Sequence, residues 1–277
     1  MSAVELGPIG IAVDVTGDSG YLDAAAEMEK LGYEGLWVSG GQLADLTPIT
    51  ELVHATESVP VIPGIIPLDV HDAATVARLY ADLEASRPGR FVVGLGGPQR
   101  SAKPLRAMNE VLDRLDVADP PVPAERRILA ALGPRKLALA RDRFAGAVTL
   151  LVTPEYTAYA RETLGPDATL VVNQMLVLDD DASRARRTAR ETMGFLLGVA
   201  GYADNARRMG YTDAAIGDLS DRIVDDLTAW GDPHAVAARV RAHLAAGADQ
   251  VVLSPLTDGE QPGGLPAARE LAGLLLR

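Results

Sequence analysis

The chain has 277 residues and no cysteine. Disulfide bonds, thiolate zinc sites and cysteine nucleophiles are therefore excluded. Aromatic residues are also scarce, since three Phe, two Trp and seven Tyr make up only 4% of the sequence. The core must be filled mainly by Ala, Val and Leu, and few rings are available to stack on a ligand.

Basic residues are outnumbered, with 26 Lys and Arg against 38 Asp and Glu and a net charge of −12. An acidic surface repels phosphate backbones and anionic lipids, so we expect neither nucleic acid nor a membrane as a partner. No apolar run reaches the ~18 residues that span a membrane, and the N-terminus lacks the pattern of a secretory signal. These features predict a cytoplasmic protein that acts on a small molecule.

Short, continuous apolar runs alternate with helical patterns along the chain, as is typical of parallel β/α units. Eight such runs occupy residues 9–15, 35–39, 59–66, 90–95, 127–132, 146–152, 168–178 and 250–254. Eight strands close a TIM barrel. An open doubly wound sheet is the alternative, but no G-x-G-x-x-G follows the first strand. We therefore predict a single α/β domain over 1–277, a (β/α)8 TIM barrel.

The helical patterns follow each apolar run, and the longest lie between the seventh and eighth runs. There we predict a helix over 181–208, a second piece over 218–230 and a third over 233–246. The acids at 179–181 begin the first of these helices, where the helix dipole favours negative charge. We expect no metal site, because adjacent acids in one cap seldom converge on one ion and the four histidines show no ligand spacing.

Several segments, read in order, resemble the bacterial luciferase-like family. They are LGYEGLWV at 31–38, RPGRFVVGLG at 87–96, LAALGPR at 129–135, and GDP at 231–233 followed by GADQVV at 247–252. The pieces KPL with Met108, at 103–108, and LVTPE at 151–155 are similar to the F420-dependent oxidoreductase branch of actinobacteria.

The resemblance implies an oxidoreductase that uses coenzyme F420 to transfer a hydride to or from an unidentified small organic substrate. Two alternatives stay open, an FMN-dependent monooxygenase and a catalytically degraded, non-enzymatic paralogue that binds a ligand or partner. The resemblance also implies a homodimer, and apolar faces on helices near 46–55 and 75–83 favour one.

Active sites of TIM barrels lie at the C-terminal ends of the strands. This rule and the resemblance give a set of candidate cofactor contacts: Ser39, Gly40, Gly41, Pro63, Gly64, Ile65, Gly96, Gly97, Ala131, Leu132, Gly133, Arg135 and Thr153. Candidate substrate contacts are Gln42, His71, Gln99 and Arg100.

Gly40 and Gly41 depart from the family, which often places an acidic residue and a histidine at this point. The departure removes the best candidate for a general acid or base, so no catalytic residue is assigned. A flexible turn is the alternative interpretation of the pair.

The resemblance implies a backbone bulge at 63–66, often with a non-proline cis peptide, packed behind the cofactor ring. A simple strand end is the alternative, because Pro63 interrupts a ladder in any case.

Two further turns carry binding hypotheses. Glycines at 94, 96 and 97 allow close approach of a ligand to the backbone. The turn at Gly133 opens a helix at Pro134, and exposed amides at such a helix start suit an anion. The resemblance places the phosphate-bearing side chain of the cofactor here, with Arg135 and Thr153 as further donors. For Thr153 the alternative is helix capping alone.

Overall fold

The computed structural model describes residues 6–16, 20–97 and 101–276. Its strands are β1 (Ile9–Val13), β2 (Leu36–Val38), β3 (Val61–Pro63), β4 (Ile66–Pro67), β5 (Val93–Gly96), β6 (Arg127–Ala130), β7 (Gly146–Leu150), β8 (Thr169–Leu178), β9 (Ala229–Gly231) and β10 (Gln250–Pro255). Its helices are α1 (Gly20–Leu31), α2 (Thr47–Ala55), α3 (Ala73–Ser86), α4 (Pro104–Asp116), α5 (Pro134–Arg143), α6 (Pro154–Leu164), α7 (Ala182–Leu197), α8 (Ala200–Arg208), α9 (Asp213–Gly217), α10 (Asp221–Leu227), α11 (Pro233–Ala245) and α12 (Gly264–Leu275).

All the strand pairs are parallel, and they run in the order β3-β2-β1-β10-β8-β7-β6-β5-β4. β3 and β4 are two pieces of one barrel strand. A bridge between Val61 of β3 and Phe91, just before β5, joins the two ends of this path. The eight strand positions therefore close into the (β/α)8 barrel, and this prediction is confirmed.

The short strand β9 was not predicted from the sequence. It pairs with the last residues of β8, at Leu176–Leu178, beyond the part of β8 that pairs with β7. The helix predicted over 218–230 is therefore wrong at its end, because Trp230 lies in β9 and α10 stops at Leu227. Residues 181–208 form two helices rather than one, since α7 ends at Leu197 and α8 begins at Ala200.

Three apolar clusters fill the structure. The largest packs the ring of helices on the barrel, and it includes Ile49 and Leu52 of α2 and Val76 and Tyr80 of α3. The apolar faces of these two helices are thus buried within the chain, so they are not the free surfaces on which the sequence-based argument for a homodimer relied. A second cluster lies between β8 and α7 to α10.

The third cluster is the barrel interior. Six of its members come from six different strands, and Val92 lies just before β5. The six strand residues are Trp37, Ile62, Ile128, Val148, Val171 and Val252. Trp37 is the largest of them and is fully buried, and its Nε1 donates to Gln250 Oε1 at 2.8 Å. The lower half of the barrel is therefore solid, and a ligand has room only above this layer.

Candidate functional site at the mouth of the barrel

The residues two positions further along each strand than the interior cluster form the next layer towards the C-terminal ends of the strands, because every second residue of a strand faces the same side. This layer consists of Ser39, Gly94, Ala130, Leu150, Asn173 and Ser254. Five of the six are small or polar, and none is charged. The floor of the mouth is thus shallow and neutral, which suits a broad, uncharged ring system.

Asn173 and Ser254 are the polar pair of this floor, and sequence reasoning did not nominate either. The Ser254 hydroxyl donates to Asn173 Oδ1 at 2.8 Å, which fixes the amide and leaves its NH2 group with no partner among the described residues. The sequence did contain a signal, because Asn173 interrupts the apolar run of β8. A polar side chain inside such a strand usually has a hydrogen-bonding role.

Gly40 and Gly41 begin a 3₁₀ turn, Gly40–Gln42, directly after β2. A Cβ on Gly40 would stand 2.7 Å from the Ile65 carbonyl oxygen and 2.9 Å from its nitrogen. A Cβ on Gly41 would meet nothing within 4 Å. Gly40 is therefore required by a close backbone approach, while Gly41 borders open space. The turn is ordered by packing, so the flexible-turn interpretation does not apply to Gly40.

The third barrel strand is broken between β3 and β4, at Gly64 and Ile65. The Gly64 amide still donates to the Val38 carbonyl, at 2.6 Å, and the ladder resumes at Ile66 beside Leu95. This irregularity lies where the sequence predicted a bulge. The accompanying cis peptide is not present, because the cis bond in the described residues is Asp119–Pro120.

Two glycines of β5, Gly94 and Gly96, serve the packing of the barrel itself. A Cβ on Gly94 would stand 1.9 Å from the Pro63 carbonyl oxygen, and one on Gly96 would stand 2.1 Å from Ile65 Cδ1. The space beside both glycines is thus filled by the chain's own third strand, where the sequence suggested approach of a ligand. Gly97 differs, since its nearest neighbours are Lys136 Nζ at 3.5 Å and Met108 Cε at 3.8 Å.

Lys136 lies in the first turn of α5 and reaches across to Gly97 at the end of β5. The side chain is half-buried, and burial lowers the pKa of its ammonium group. No hydrogen bond or ion pair to the described residues compensates this ammonium. A half-buried cation without a counterion at a barrel mouth is a candidate ligand contact.

Gly133 is the N-cap of α5, and Arg208 of α8 approaches it from above. The guanidinium nitrogen Nη1 lies 3.6 Å from the position of a Gly133 Cβ. Arg208 also has no ion pair among the described residues. The Tyr156 hydroxyl donates to the carbonyl of Leu132, the residue before Gly133, and so holds the turn in place. Two unpaired cations, Lys136 and Arg208, therefore flank the turn after β6.

Gly133 adopts an ordinary extended conformation, with φ −88° and ψ 155°. A side chain at position 133 would therefore not strain the backbone of this turn. Thr153 caps α6, because its Oγ1 accepts the Tyr156 amide at 3.3 Å. Arg135 is exposed and lies at the start of α5. Ala131 is buried beneath the turn.

The segment above this turn carries two signs of a functional surface. Leu151, directly after β7, has φ 55°, which is unusual for a branched side chain. Asn205 of α8 is 1% exposed, and neither polar atom of its amide has a hydrogen-bond partner among the described residues. Strained backbone and unsatisfied buried groups concentrate at ligand sites, and Arg208 places α8 beside the Gly133 turn.

The predicted substrate contacts are divided. Gln42 lies at the mouth, where its Nε2 donates to Asp14 Oδ1 at 2.7 Å and its Oε1 accepts the Val15 amide at 3.1 Å. The His71 Nε2 donates to the Leu43 carbonyl at 2.8 Å, so this ring ties two loops together. Gln99 and Arg100 lie outside the described residues.

The other histidines lie in helices. His54 is in α2, and His234 and His243 are in α11. His243 is fully buried between Thr157 Oγ1 and Gln174 Oε1, each at 2.8 Å, and burial lowers its pKa to about 4. It is a neutral packing residue of the helical layer.

The acids at 179–181 also serve a helix, as predicted from the sequence. Asp181 caps α7 by accepting the Arg184 amide at 2.8 Å. The paired Arg184 guanidinium lowers the pKa of Asp179 to about 2.

Within the described residues, no helix is long and apolar enough to cross a membrane.

Known proteins resemble this chain in part of its sequence and in its fold. Residues 19–114 match the family model of luciferase-like monooxygenases. A comparison with curated protein sequences finds no match. The chain is thus luciferase-like in sequence over its first β/α units.

Solved structures extend the likeness to the whole chain at the level of the fold. An F420-dependent tetrahydromethanopterin reductase from Methanopyrus kandleri matches with a TM-score of 0.72 and 16% identity, over 99% of both chains. An F420-dependent secondary alcohol dehydrogenase, solved with an F420-acetone adduct, gives 0.73 and 14% over 98% of both. The oxygenating constituent of 3,6-diketocamphane monooxygenase from Pseudomonas putida, solved with FMN, gives 0.67 and 13%, covering 98% of this chain and 100% of that one.

Proposed function

We propose that the chain is an oxidoreductase that binds coenzyme F420 at the mouth of its barrel and acts on a small organic substrate. The observation that carries the proposal is the pair of uncompensated cations, Lys136 and Arg208, on either side of the turn after β6. In a chain of net charge −12, two such groups on one side of the mouth, half-buried Lys136 and exposed Arg208, favour an anionic ligand.

The residues present fit this cofactor. The phosphodiester of F420 needs cations and a free amide, which Lys136, Arg208 and the backbone N–H of Arg135 in the first turn of α5 supply. The deazaflavin ring needs a broad neutral floor, which the small side chains at Ala130, Gly94 and Ser39 provide.

When bound, F420 supplies the hydride chemistry, and the protein supplies position and exclusion of water. Asn173, held by Ser254, offers an NH2 donor to a carbonyl oxygen on the ring or the substrate. The strand break at Gly64 and Ile65 forms one wall of the mouth, and α8 covers the anionic end through Arg208.

Titration with F420 and with FMN, followed by fluorescence, tests the proposal. We expect a dissociation constant for F420 below about 50 µM and weaker binding of FMN. Binding of FMN alone would favour the second candidate, an FMN-dependent monooxygenase, to which the likeness with the FMN-bound monooxygenase of P. putida points. Binding of neither cofactor at this concentration would overturn both.

A third candidate is a non-enzymatic paralogue that binds a ligand, and the Gly40-Gly41 pair favours it because no acid or base follows β2. Turnover separates the candidates. If the protein is a non-enzymatic paralogue, the absorbance of bound reduced F420 should stay unchanged when candidate substrates are added. If the protein is an enzyme, one of these substrates should change that absorbance, because the cofactor is oxidised.

We further propose that the chain forms a homodimer. Support comes from a groove of about 410 Å³ between α3 and α4, near exposed Val70 and Val117. Small residues, among them Ala74, Ala77 and Ala81, line it together with charged residues of both signs: Asp72, Arg78, Asp82, Arg114 and Asp119. Light scattering of the wild type and of Val117→Lys tests this idea. A dimer that V117K weakens would support the assignment, and a monomer at high micromolar concentration would overturn it.

A further inference from the structure

A second region of the mouth lies opposite the cations, at the ends of β1, β2 and β10. A cleft of about 870 Å³ opens there between these strands and α7. Its polar lining includes the carboxylates of Asp14 and Glu191 and the hydroxyls of Ser39 and Ser254. No Lys or Arg is among the described residues that line it.

Glu191 has no partner among the described residues, although four arginines share its helix. Each of those arginines is engaged by another acid, as the structure shows for Arg184 with Asp179, Arg186 with Asp225, Arg187 with Asp258, and Arg190 with Asp221. The carboxylate of Glu191 is thus free for a ligand in the middle of an arginine-rich helix.

Phe195 stands one turn further along the same face of α7 and also lines the cleft. It is the most exposed of the three Phe residues, with 75% of its surface accessible. A carboxylate and an aromatic face at i and i+4 can contact the same ammonium group, one by charge and the other by a cation–π interaction.

The second carboxylate of the cleft is ordered by its neighbours. Asp14 Oδ1 accepts three hydrogen bonds, from the Thr16 amide, the Thr16 hydroxyl and Gln42 Nε2, at 2.7–2.9 Å. Oδ2 has no partner among the described residues. Because all three donors are neutral, the charge of Asp14 stays uncompensated at the rim of the cleft.

We propose that this cleft is the substrate side of the site and that it accepts a small organic cation, an alkyl- or arylammonium group. The ammonium lies against Glu191 and Phe195, with Asp14 across the cleft. The assignment to the substrate rests on the proposed function, because the anionic cofactor would occupy the cationic half of the same mouth.

Ligand-observed NMR titrations with three probes of similar shape test the proposal: 2-phenylethylammonium, 2-phenylethanol and 3-phenylpropionate. We expect the ammonium probe to bind at least about fivefold more tightly than the alcohol, and the carboxylate not to bind, since one exposed ion pair contributes up to about 1 kcal/mol. Glu191→Gln should remove the preference, and Phe195→Leu should halve it or more.

Glu162→Gln, an exposed acid on α6 outside the cleft, is the matched control and should keep the preference. Equal binding of the ammonium and the alcohol by the wild type would overturn the proposal, and so would a preference that survives in E191Q. The same variants are titrated with F420 and FMN. If the wild type binds neither cofactor, the proposed function is overturned. If it still prefers the ammonium probe in that case, the cleft binds cations independently of the proposed function.

Discussion

The Nζ of Lys136 lies 3.5 Å from the point at which a Cβ on Gly97 would stand. The contact links the start of α5 to the end of β5, across the boundary between two β/α units. A bulkier residue at position 97 would crowd the ammonium group, and a carboxylate nearby would neutralise it. The structure instead keeps a half-buried charge at this point, with no counterion among the described residues.

Lys136→Met should weaken F420 binding about tenfold, because it removes a charge-assisted contact to an anion while conserving the side-chain volume. The same change should leave the melting temperature unchanged or raise it, since a half-buried cation without a partner does not stabilise the fold. Fluorescence titration and thermal unfolding measure the two effects.

Lys30→Met is the control for Lys136→Met, because Lys30 is exposed on α1, away from the mouth. If K136M and K30M reduce the affinity for F420 equally, the charge of Lys136 acts only through the electrostatic field of the whole protein. A fall in melting temperature in K136M would show that its ammonium is a structural partner.

Gly40→Ala and Gly41→Ala should differ sharply in stability. The Cβ at position 40 would meet the backbone of Ile65, which cannot move without shifting the third strand, so we expect a loss of about 2–3 kcal/mol in the free energy of unfolding. Gly41→Ala should change it by less than about 0.5 kcal/mol, because its side chain would point into open space. Denaturant titrations of both variants decide the point, and equal losses would contradict the contact.

His243 should make the protein less stable at mildly acidic pH. Burial, and secondarily the charge of Arg239, lowers its pKa from 6.5 to about 4 in the folded chain. The unfolded chain therefore takes up the proton first as the pH falls. The contribution of His243 to the free energy of unfolding is fully present above pH 6.5 and should be lost between pH 6.5 and 4, by about 3 kcal/mol in total.

His243→Gln should be less stable than the wild type at pH 7.5 but should lose much less between pH 6.5 and 4.5. His234→Gln, at an exposed position of the same helix, should retain the wild-type dependence. The free energy of unfolding at a series of pH values gives the comparison. Identical slopes for H243Q and the wild type would refute the assignment.

The sequence predicted the barrel well because its signals are local. A strand buried on both faces must be a continuous apolar run, and eight such runs with intervening helices admit few arrangements. The failures arose where neighbours in space decide. β9 is a three-residue strand that exists through its pairing with β8, and its Trp230 fits a helical pattern equally well.

For several candidate site residues, the structure shows a role that the sequence did not suggest. Gly94 and Gly96 lie in β5, and their small size serves the contact with Pro63 and Ile65, which lie some thirty residues earlier in the chain. No local pattern reveals such a contact. Lys136 and Asn173 did carry a signal, since a cation in a first helical turn and an amide inside a strand both contradict local preference.

The most direct test of the central claim is a crystal structure of the protein with F420. The account predicts that a phosphate oxygen of F420 lies within hydrogen-bonding distance of Lys136 or Arg208 and of an amide in the first turn of α5, with the ring over Ala130 and Asn173. A structure in which the anionic end of the cofactor lies elsewhere, or in which the mouth excludes the ring, would contradict it.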